Sequence, residues 1–411
     1  MAQVNLNIDD LKTFVNHIIS NNRFLQEGKK NPVSIEVIGE SGIGKTSTII
    51  ELAEENNLDF VKINLAQIEE LGDLVGFPVR QFQMYKDKKV AVNNAELNFV
   101  GQQSQLVTKK VGQWVDELAV DEFIKQGWKV TGKNRMSYCP PEWIADKKAG
   151  GILLIDDWNR ADQRFIQATM ELIDRQTYIS WKLPKDWHII LTANPDNGDY
   201  MVNSVDSAQK TRYITANLKF DVNVWARWAE SANIDTRCIN FLLLHPELVT
   251  QETNARAITT FFNSISSFES FEDNLSLIQM IGEGSVGDTF ASMFTTFINN
   301  KLDKLPTPNE LLTGANEAQV LKDLTNCIGI GDNYRADIAS TLATRLANYS
   351  VVYSQENTIT QKITDRLEAL CTKDAFTNDL KYLIVRTIFN GNKKKFNKLM
   401  MKPSIAKMVL K

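Results

Sequence analysis

The sequence predicts an α/β fold: a doubly wound parallel sheet of the phosphate-loop type, followed by an all-helical lid and a helical C-terminal extension. Three observations predict it. A β-branched run from Val33 to Ile38 enters a turn holding Gly39, Gly42 and Gly44, then leaves into a stretch of helical spacing from Thr46 to Glu55. A continuous apolar run of four residues, Ile152 to Ile155, ends in two acids, and His188 to Pro195 ends in a polar tip; a helical pattern separates them, as it does fully buried parallel strands. From Asp221 onward, strand patterns stop and helical ones continue to the end.

Taken in order, Ile8, Leu11, Phe14, Val15, Ile18 and Ile19 share one face of an opening helix, with Asp9 or Asp10 placed to cap it. Asp59 to Asn64 is a short strand of buried type, and Gly72 to Val79 is rich in turn formers. Within 83–140 one amphipathic helix is expected on Val111, Trp114, Val115, Leu118, Phe123 and Ile124. This segment reads either as a decorating insertion or as a contact surface for a partner or a central pore. Gln163 to Asp174 is a helix, and Thr177 to Trp187 alternates like a hairpin turning at Lys182 to Asp186. Further helices are expected at 222–232, 236–244, 255–268 and 289–302. After a Pro-bearing connection at 305–308 come helices at 316–327, 334–353 and 360–371 and a lysine-rich tail. The domains expected are therefore an N-terminal helical segment (1–30), an α/β nucleotide-binding domain (31–220, with an insertion at about 83–140), a helical lid (221–304) and a helical extension (305–411).

With 411 residues and a net charge of −4, the chain has room for several domains and carries no overall signature of nucleic-acid binding. Lys393, Lys394, Lys395, Lys398, Lys402, Lys407 and Lys411 nonetheless gather at one end with no acid among them. Cys139, Cys238, Cys327 and Cys371 are scattered without metal-ligand spacing, so a reduced compartment and no zinc site are expected. Met1 to Asp10 lacks the basic head and apolar core of an export signal, and no run approaches membrane-spanning length. The expectation is a soluble, cytoplasmic protein with no membrane partner.

The pattern G-x-x-x-x-G-K-T occupies Gly39, Glu40, Ser41, Gly42, Ile43, Gly44, Lys45 and Thr46, with Ser47 following. Its glycines let the main chain wrap with N–H groups inward, a cradle for the triphosphate of ATP at a helix N-terminus. Lys45 is placed to reach the β- and γ-phosphates, and Thr46 to ligate Mg²⁺. In Ile152-Leu-Leu-Ile-Asp-Asp157, Asp156 would hold the metal through water and Asp157 would orient or deprotonate the attacking water. An acid pair ending a strand also serves simply to cap the next helix. Asn194 is placed to sense the γ-phosphate, although Asn before Pro195 is also a turn former.

Together these motifs resemble the AAA+ ATPases of the MoxR and dynein-related group, the clade with an insertion in helix 2 and a hairpin before sensor 1. Gly39 to Thr46 resembles Walker A, Ile152 to Ala161 Walker B, and Gln176 to Ile190 the hairpin. Leu191 to Pro195 is similar to the sensor-1 strand, which gives that role to Asn194. Asp206-Ser-Ala-Gln-Lys-Thr-Arg-Tyr213 is similar to the D-x-A-x-x-x-R-F box, implying an arginine finger at Arg212. Asn254-Ala-Arg-Ala257 resembles sensor 2, implying Arg256. Asp73 to Gly76, Pro140 to Trp143 and Trp225 to Ala229 recur in the group in this order. One departure is Asp157, where relatives carry Glu.

The resemblance implies Mg²⁺-dependent ATP hydrolysis in a homo-oligomeric ring, a hexamer, with ATP between subunits and the finger supplied in trans. It implies a client protein that is remodelled or assembled, such as one with a von Willebrand A-type domain. Arg175 reads as a second interface arginine or as a charge complementing a helix dipole. Trp181 and Lys182 read as a hairpin tip in a pore or as cross-strand packing. Two other functions stay open: a nucleic-acid-stimulated motor or loader, suggested by the lysine tail, and a slow ATP-switched assembly protein, suggested by Asp157.

Overall fold

The computed structural model describes residues 4–92, 105–203, 206–299, 305–372 and 375–409. The elements begin with β1 (Asn5–Leu6), α1 (Ile8–Glu27), β2 (Ser34–Ile38), α2 (Lys45–Glu55), β3 (Asp59–Asn64), α3 (Leu71–Val75), β4 (Pro78–Val92), β5 (Gln105–Asp116), α4 (Val120–Lys125) and β6 (Lys129–Tyr138). They continue with α5 (Glu142–Ala145), β7 (Gly151–Asp156), α6 (Gln163–Arg175), β8 (Thr177–Tyr178), β9 (Trp181–Lys182), β10 (Trp187–Ala193), α7 (Ser207–Lys210) and β11 (Tyr213–Leu218). The helical remainder is α8 (Val222–Ser231), α9 (Thr236–Leu244), α10 (Ala255–Ser264), α11 (Leu275–Val286), α12 (Asp288–Asn299), α13 (Pro308–Thr313), α14 (Glu317–Ile328), α15 (Ala336–Glu356), α16 (Gln361–Thr372), α17 (Asn378–Asn392), α18 (Asn397–Met400) and α19 (Pro403–Val409). By packing the chain forms two compact units. One holds 13–38 and 46–216; the other holds 4–12, 39–45 and the residues from 217 onward.

In the first unit a central parallel sheet runs β11-β2-β10-β7-β3. Every residue of β7 and β10 is buried, and Ile152, Leu153, Leu154 and Ile155 are 0% exposed. Each such side chain contributes about 1.5–3 kcal/mol of burial, which is why these runs lack the alternation of a surface strand. The registers bring the strand tips level. Asn64 of β3 pairs with Asp156 of β7, Leu191 of β10 with Ile155, and Ala193 with Ile38 of β2. The polar residues that end these strands are therefore gathered along one edge of the sheet.

Several expectations change. Residues 105–116 form a strand, not the first turns of a helix; a 3₁₀ turn at Glu117–Ala119 and the short α-helix Val120–Lys125 follow it. Val111 and Val115 lie four apart, a spacing that one helix face and one strand face both satisfy, so the apolar pattern alone did not decide. β5, β4 and β6 make a separate antiparallel sheet in that order. The turn between β8 and β9 falls at Ile179 and Ser180, not at 182–186, since Tyr178 pairs with Trp181. Trp181 is no tip: it is 9% exposed and its indole Nε1 donates to the Val75 carbonyl at 2.9 Å. The cap of α1 is Asn7, whose Oδ1 accepts from Asp10 N at 2.9 Å, in place of Asp9 or Asp10.

In the second unit, α8 to α12 surround an aromatic core built on Phe241, Phe261, Phe262, Phe290 and Phe294. A second core, with Leu311, Leu342, Leu346, Leu367 and Ile384, belongs to α13 to α19. Between them Arg345 of α15, 0% exposed, is paired with Glu230 of α8 at 2.8 Å and donates to Asn240 of α9 at 2.8 Å. The lysine tail is no free arm over its described part. Lys402 bridges Asp365 and Glu368 of α16, both at 2.8 Å, and Lys395 donates to the Ser354 carbonyl and to Asn357 O at 3.3 Å, complementing the C-terminal end of α15. Leu410 and Lys411 lie outside the described residues. Among the described residues no helix is long and apolar enough to cross a membrane.

Candidate functional site

The acid pair sits where β7 ends. Asp156 accepts from Thr46 Oγ1 at 3.0 Å and from Thr192 Oγ1 on its Oδ1, and its Oδ2 is 2.8 Å from Lys62 Nζ. Burial opposes ionisation of this carboxyl. The Lys62 and Thr192 hydrogen bonds, the Lys62 charge and the Thr46 hydroxyl outweigh it and hold Asp156 below the usual carboxylate range. An anionic carboxylate with a hydroxyl 3.0 Å away is an oxygen-only donor set of the kind Mg²⁺ takes, so these residues fit the ion.

Asp157 turns away from the strand. Its backbone is left-handed, φ 50° and ψ 35°, a conformation in which Asp is enriched among non-glycine residues. Its amide donates to Thr192 Oγ1 at 3.1 Å, and its Oδ1 accepts from Asn194 Nδ2 at 3.0 Å. Asn159 then ties the two strand ends together. Its Nδ2 donates to Asn194 O at 2.8 Å, while its Oδ1 accepts from Asn194 N at 3.2 Å. Asp156, Asp157, Thr46 and Asn194 are thus brought together, with Thr192, Asn159 and Lys62 as members that sequence reasoning missed. Lys62 did leave a signal: a lysine two residues before the tip of a strand of buried type must aim at an acid or at water.

Beneath this cluster, Glu36 of β2 is 4% exposed and accepts from Trp158 Nε1 at 3.0 Å and Thr215 Oγ1 at 2.9 Å. Burial pushes its carboxyl up, partly offset by those two hydrogen bonds and the Lys210 charge. Trp158 follows the acid pair and packs edge-on to Tyr213, with centroids 5.6 Å apart. Arg212 precedes that tyrosine and donates from Nη1 to Ala208 O at 2.8 Å. Arg175 ends α6 beside Asp174, Nε to Oδ2 3.5 Å.

The glycine loop is described with the second unit. Gly42 and Gly44 have φ of +76° and +96°. Lys45, the first residue of α2, folds back so that Nζ meets the carbonyls of Gly39 at 2.5 Å and Glu40 at 3.0 Å. The loop is closely backed by the start of α10. A Cβ on Gly42 would lie 2.5 Å from Asn254 Oδ1 and 2.9 Å from Arg256 Cβ, so only glycine fits. Asn254 caps α10 by accepting from Arg256 N and Ala257 N, both at 3.1 Å, which fixes Arg256 in the first turn beside the loop. Glu40 accepts from Gln251 Nε2 at 3.1 Å. The loop cradle and its basic residues suit a polyphosphate.

No family model matches the sequence, and no curated protein does. Among solved structures the chain is similar to a mutant of RuvB from Thermotoga maritima, at 9% identity and TM-score 0.36, over 77% of this chain and 84% of that one. It is also similar to a proposed ATPase of Cytophaga hutchinsonii, at 15% identity and TM-score 0.31, over 87% and 88% of the two chains. Likenesses of this degree say nothing of function, which rests on the side chains described above.

Proposed function

We propose that the chain is a Mg²⁺-dependent ATPase of the AAA+ type that works as a ring, remodelling or assembling another macromolecule. The observation that carries the reading is the Thr46–Asp156 contact at 3.0 Å beside an Asp157–Asn194 contact at 3.0 Å, at the tips of adjacent parallel strands. Thr46 directly follows the Gly39 to Lys45 loop. In this reading main-chain N–H groups and Lys45 bind the triphosphate, and Thr46 and Asp156 hold the metal. The metal, when bound, neutralises charge that builds on the phosphoryl group. Asp157 orients the water or takes its proton, and Asn194 fixes the Asp157 carboxylate. Arg256, backed against the loop, adds positive charge beside the phosphates. Arg212 would be presented to the nucleotide of a neighbouring copy, where such a finger is worth ~10³–10⁵ in rate. The family resemblance favours a separate protein as client.

The test is a set of three purified variants. Lys45→Ala should lose ATP binding. Arg212→Ala should bind ATP and turn it over slowly, and mixing it with Asp157→Asn protein should restore part of the activity at hybrid interfaces. Mixtures that never recover, across all ratios, would show that Arg212 does not serve a neighbour.

A further inference from the structure

We infer that the outward face of the β5-β4-β6 sheet is a binding platform for single-stranded nucleic acid. The inference goes beyond the ATPase reading and does not depend on it. Residues 78–138 carry ten Lys and Arg against six Asp and Glu, in a chain whose net charge is −4. β4, at 15 residues, spans about 50 Å.

The sheet has two unlike faces. On one, Met84 is 0% and Val115 5% exposed, and Lys86 reaches across to the Gln126 carbonyl just past α4 at 2.6 Å, so this face is packed. On the other, pairing sets Tyr85 opposite Gly112 and Lys129, Gln83 opposite Trp114, and Gln81 opposite Arg135. Half-buried aromatic rings and exposed cations therefore share this face. Arg135 lies 4.5 Å over the Trp114 ring and Lys110 5.2 Å over Tyr85, while Lys110, Lys129 and Arg135 are exposed. Gly112 leaves an open notch beside Tyr85, because a Cβ there would meet nothing nearer than Met84 O at 3.6 Å.

The acids on this face are few. Asp87 stands opposite Lys110 in the strand register, and Asp116 accepts from Gln81 at 2.8 Å. Cations alone would suit any polyanion. Flat rings interleaved with them suit a strand whose bases are free to stack, with backbone phosphates on the lysines. A duplex hides those base faces. The described tail lysines Lys395 and Lys402, by contrast, are engaged by carbonyls and by α16.

The experiment is fluorescence anisotropy of the full chain with labelled oligo(dT) of about twenty nucleotides, longer than one typical single-strand site, at several salt concentrations. Saturable binding that weakens with salt is expected. Tyr85→Ala with Trp114→Ala should weaken it by about tenfold or more. Lys110→Gln with Arg135→Gln should weaken it and flatten the salt slope by about 0.7 for each phosphate no longer neutralised. Lys45→Ala, blind to ATP in the reading above, should bind the oligonucleotide as the parent does, which separates failure of one reading from failure of the other. The two surface charge variants, with unchanged melting, keep the test informative if the aromatic variant folds poorly. Absent binding at low salt, binding indifferent to both pairs of substitutions, or displacement by polyglutamate as effective as by unlabelled oligo(dT) overturns the inference; the last would point to an acidic protein.

Discussion

Alanine at Gly42 probes the fit between the glycine loop and the start of α10. The residue has φ +76°, and the added Cβ would stand 2.5 Å from Asn254 Oδ1 and 2.9 Å from Arg256 Cβ. Placing an L-residue in the left-handed region costs about 1 kcal/mol. Pushing Asn254 aside forfeits its bonds to Arg256 N and Ala257 N, both 3.1 Å, and a lost cap costs about 1 kcal/mol. With some residual strain against Arg256 the total is about 2–3 kcal/mol. If the loop stays closed, the strain appears as a lower melting temperature. If it opens, ATP must close it again, and affinity falls by about 30- to 150-fold. Thermal melts together with titration calorimetry of ATP read both, and the two losses should sum to the same total. Gly331→Ala is the control, since its φ is +62° and nothing lies within 4 Å of the new Cβ. It should show the backbone cost alone and unchanged ATP affinity. A Gly42→Ala protein that melts like the control and binds ATP as tightly as the parent would refute the account of the loop.

Two buried acids should move stability with pH in opposite senses. Asp156 is depressed, so its contribution is present above the ordinary carboxylate pKa of about 4 and is lost as pH falls through its lower folded value; Asp156→Asn should lower the melting temperature at about pH 7 and flatten its acid limb. Glu36 is raised, so its stabilising protonated state is lost as pH rises; Glu36→Gln should gain in relative stability as pH climbs above the ordinary carboxylate range, and identical pH profiles would discard the assignment. Asp157→Glu should slow turnover roughly tenfold or more with ATP affinity kept. It forces a longer acid out of the 3.0 Å bond to Asn194, and ~1 Å of misplacement costs about 10² in rate; a faster enzyme would show the pocket suits Glu. Trp181→Phe removes the donor to Val75 O and should cost about 1 kcal/mol in denaturant unfolding while leaving ATPase activity alone; an activity loss without a stability loss would return Trp181 to a contact role.

Much of the sheet was legible because buried parallel strands have an unmistakable composition: β7 and β10 are apolar almost throughout and end in polar tips. The glycine loop was legible because Gly42 and Gly44 need φ values that side chains resist. The 105–116 strand was not, since Val111 and Val115 fit either periodicity. Nor was the β8–β9 turn at Ile179, where φ is +37° without a glycine to announce it. There the register is set by Trp181 reaching Val75, a partner 106 residues away that no local pattern encodes. Lys62, Thr192 and Asn159 escaped for the same reason: each acts through a neighbour on another strand.

Those three residues change what the acid pair is. Thr192 donates to Asp156 and accepts from the Asp157 amide, and Asn159 holds both the amide and the carbonyl of Asn194. Asn194 in turn donates to Asp157. The ends of β7 and β10 are therefore one hydrogen-bonded piece, closed at both the acid and the amide side. The left-handed backbone of Asp157 is sustained by this closure, since its amide and its carboxylate are fixed by two different residues of β10 and the turn after it. A shorter acid in this position is consistent with such a frame: the carboxylate is already bonded to Asn194 at 3.0 Å, and a further methylene would have to break that bond or bend the turn. In the proposed ATPase, a ligand group engaging Asn194 would act on Asp157 through a single hydrogen bond, which would couple the sensing and water-orienting roles assigned to them there.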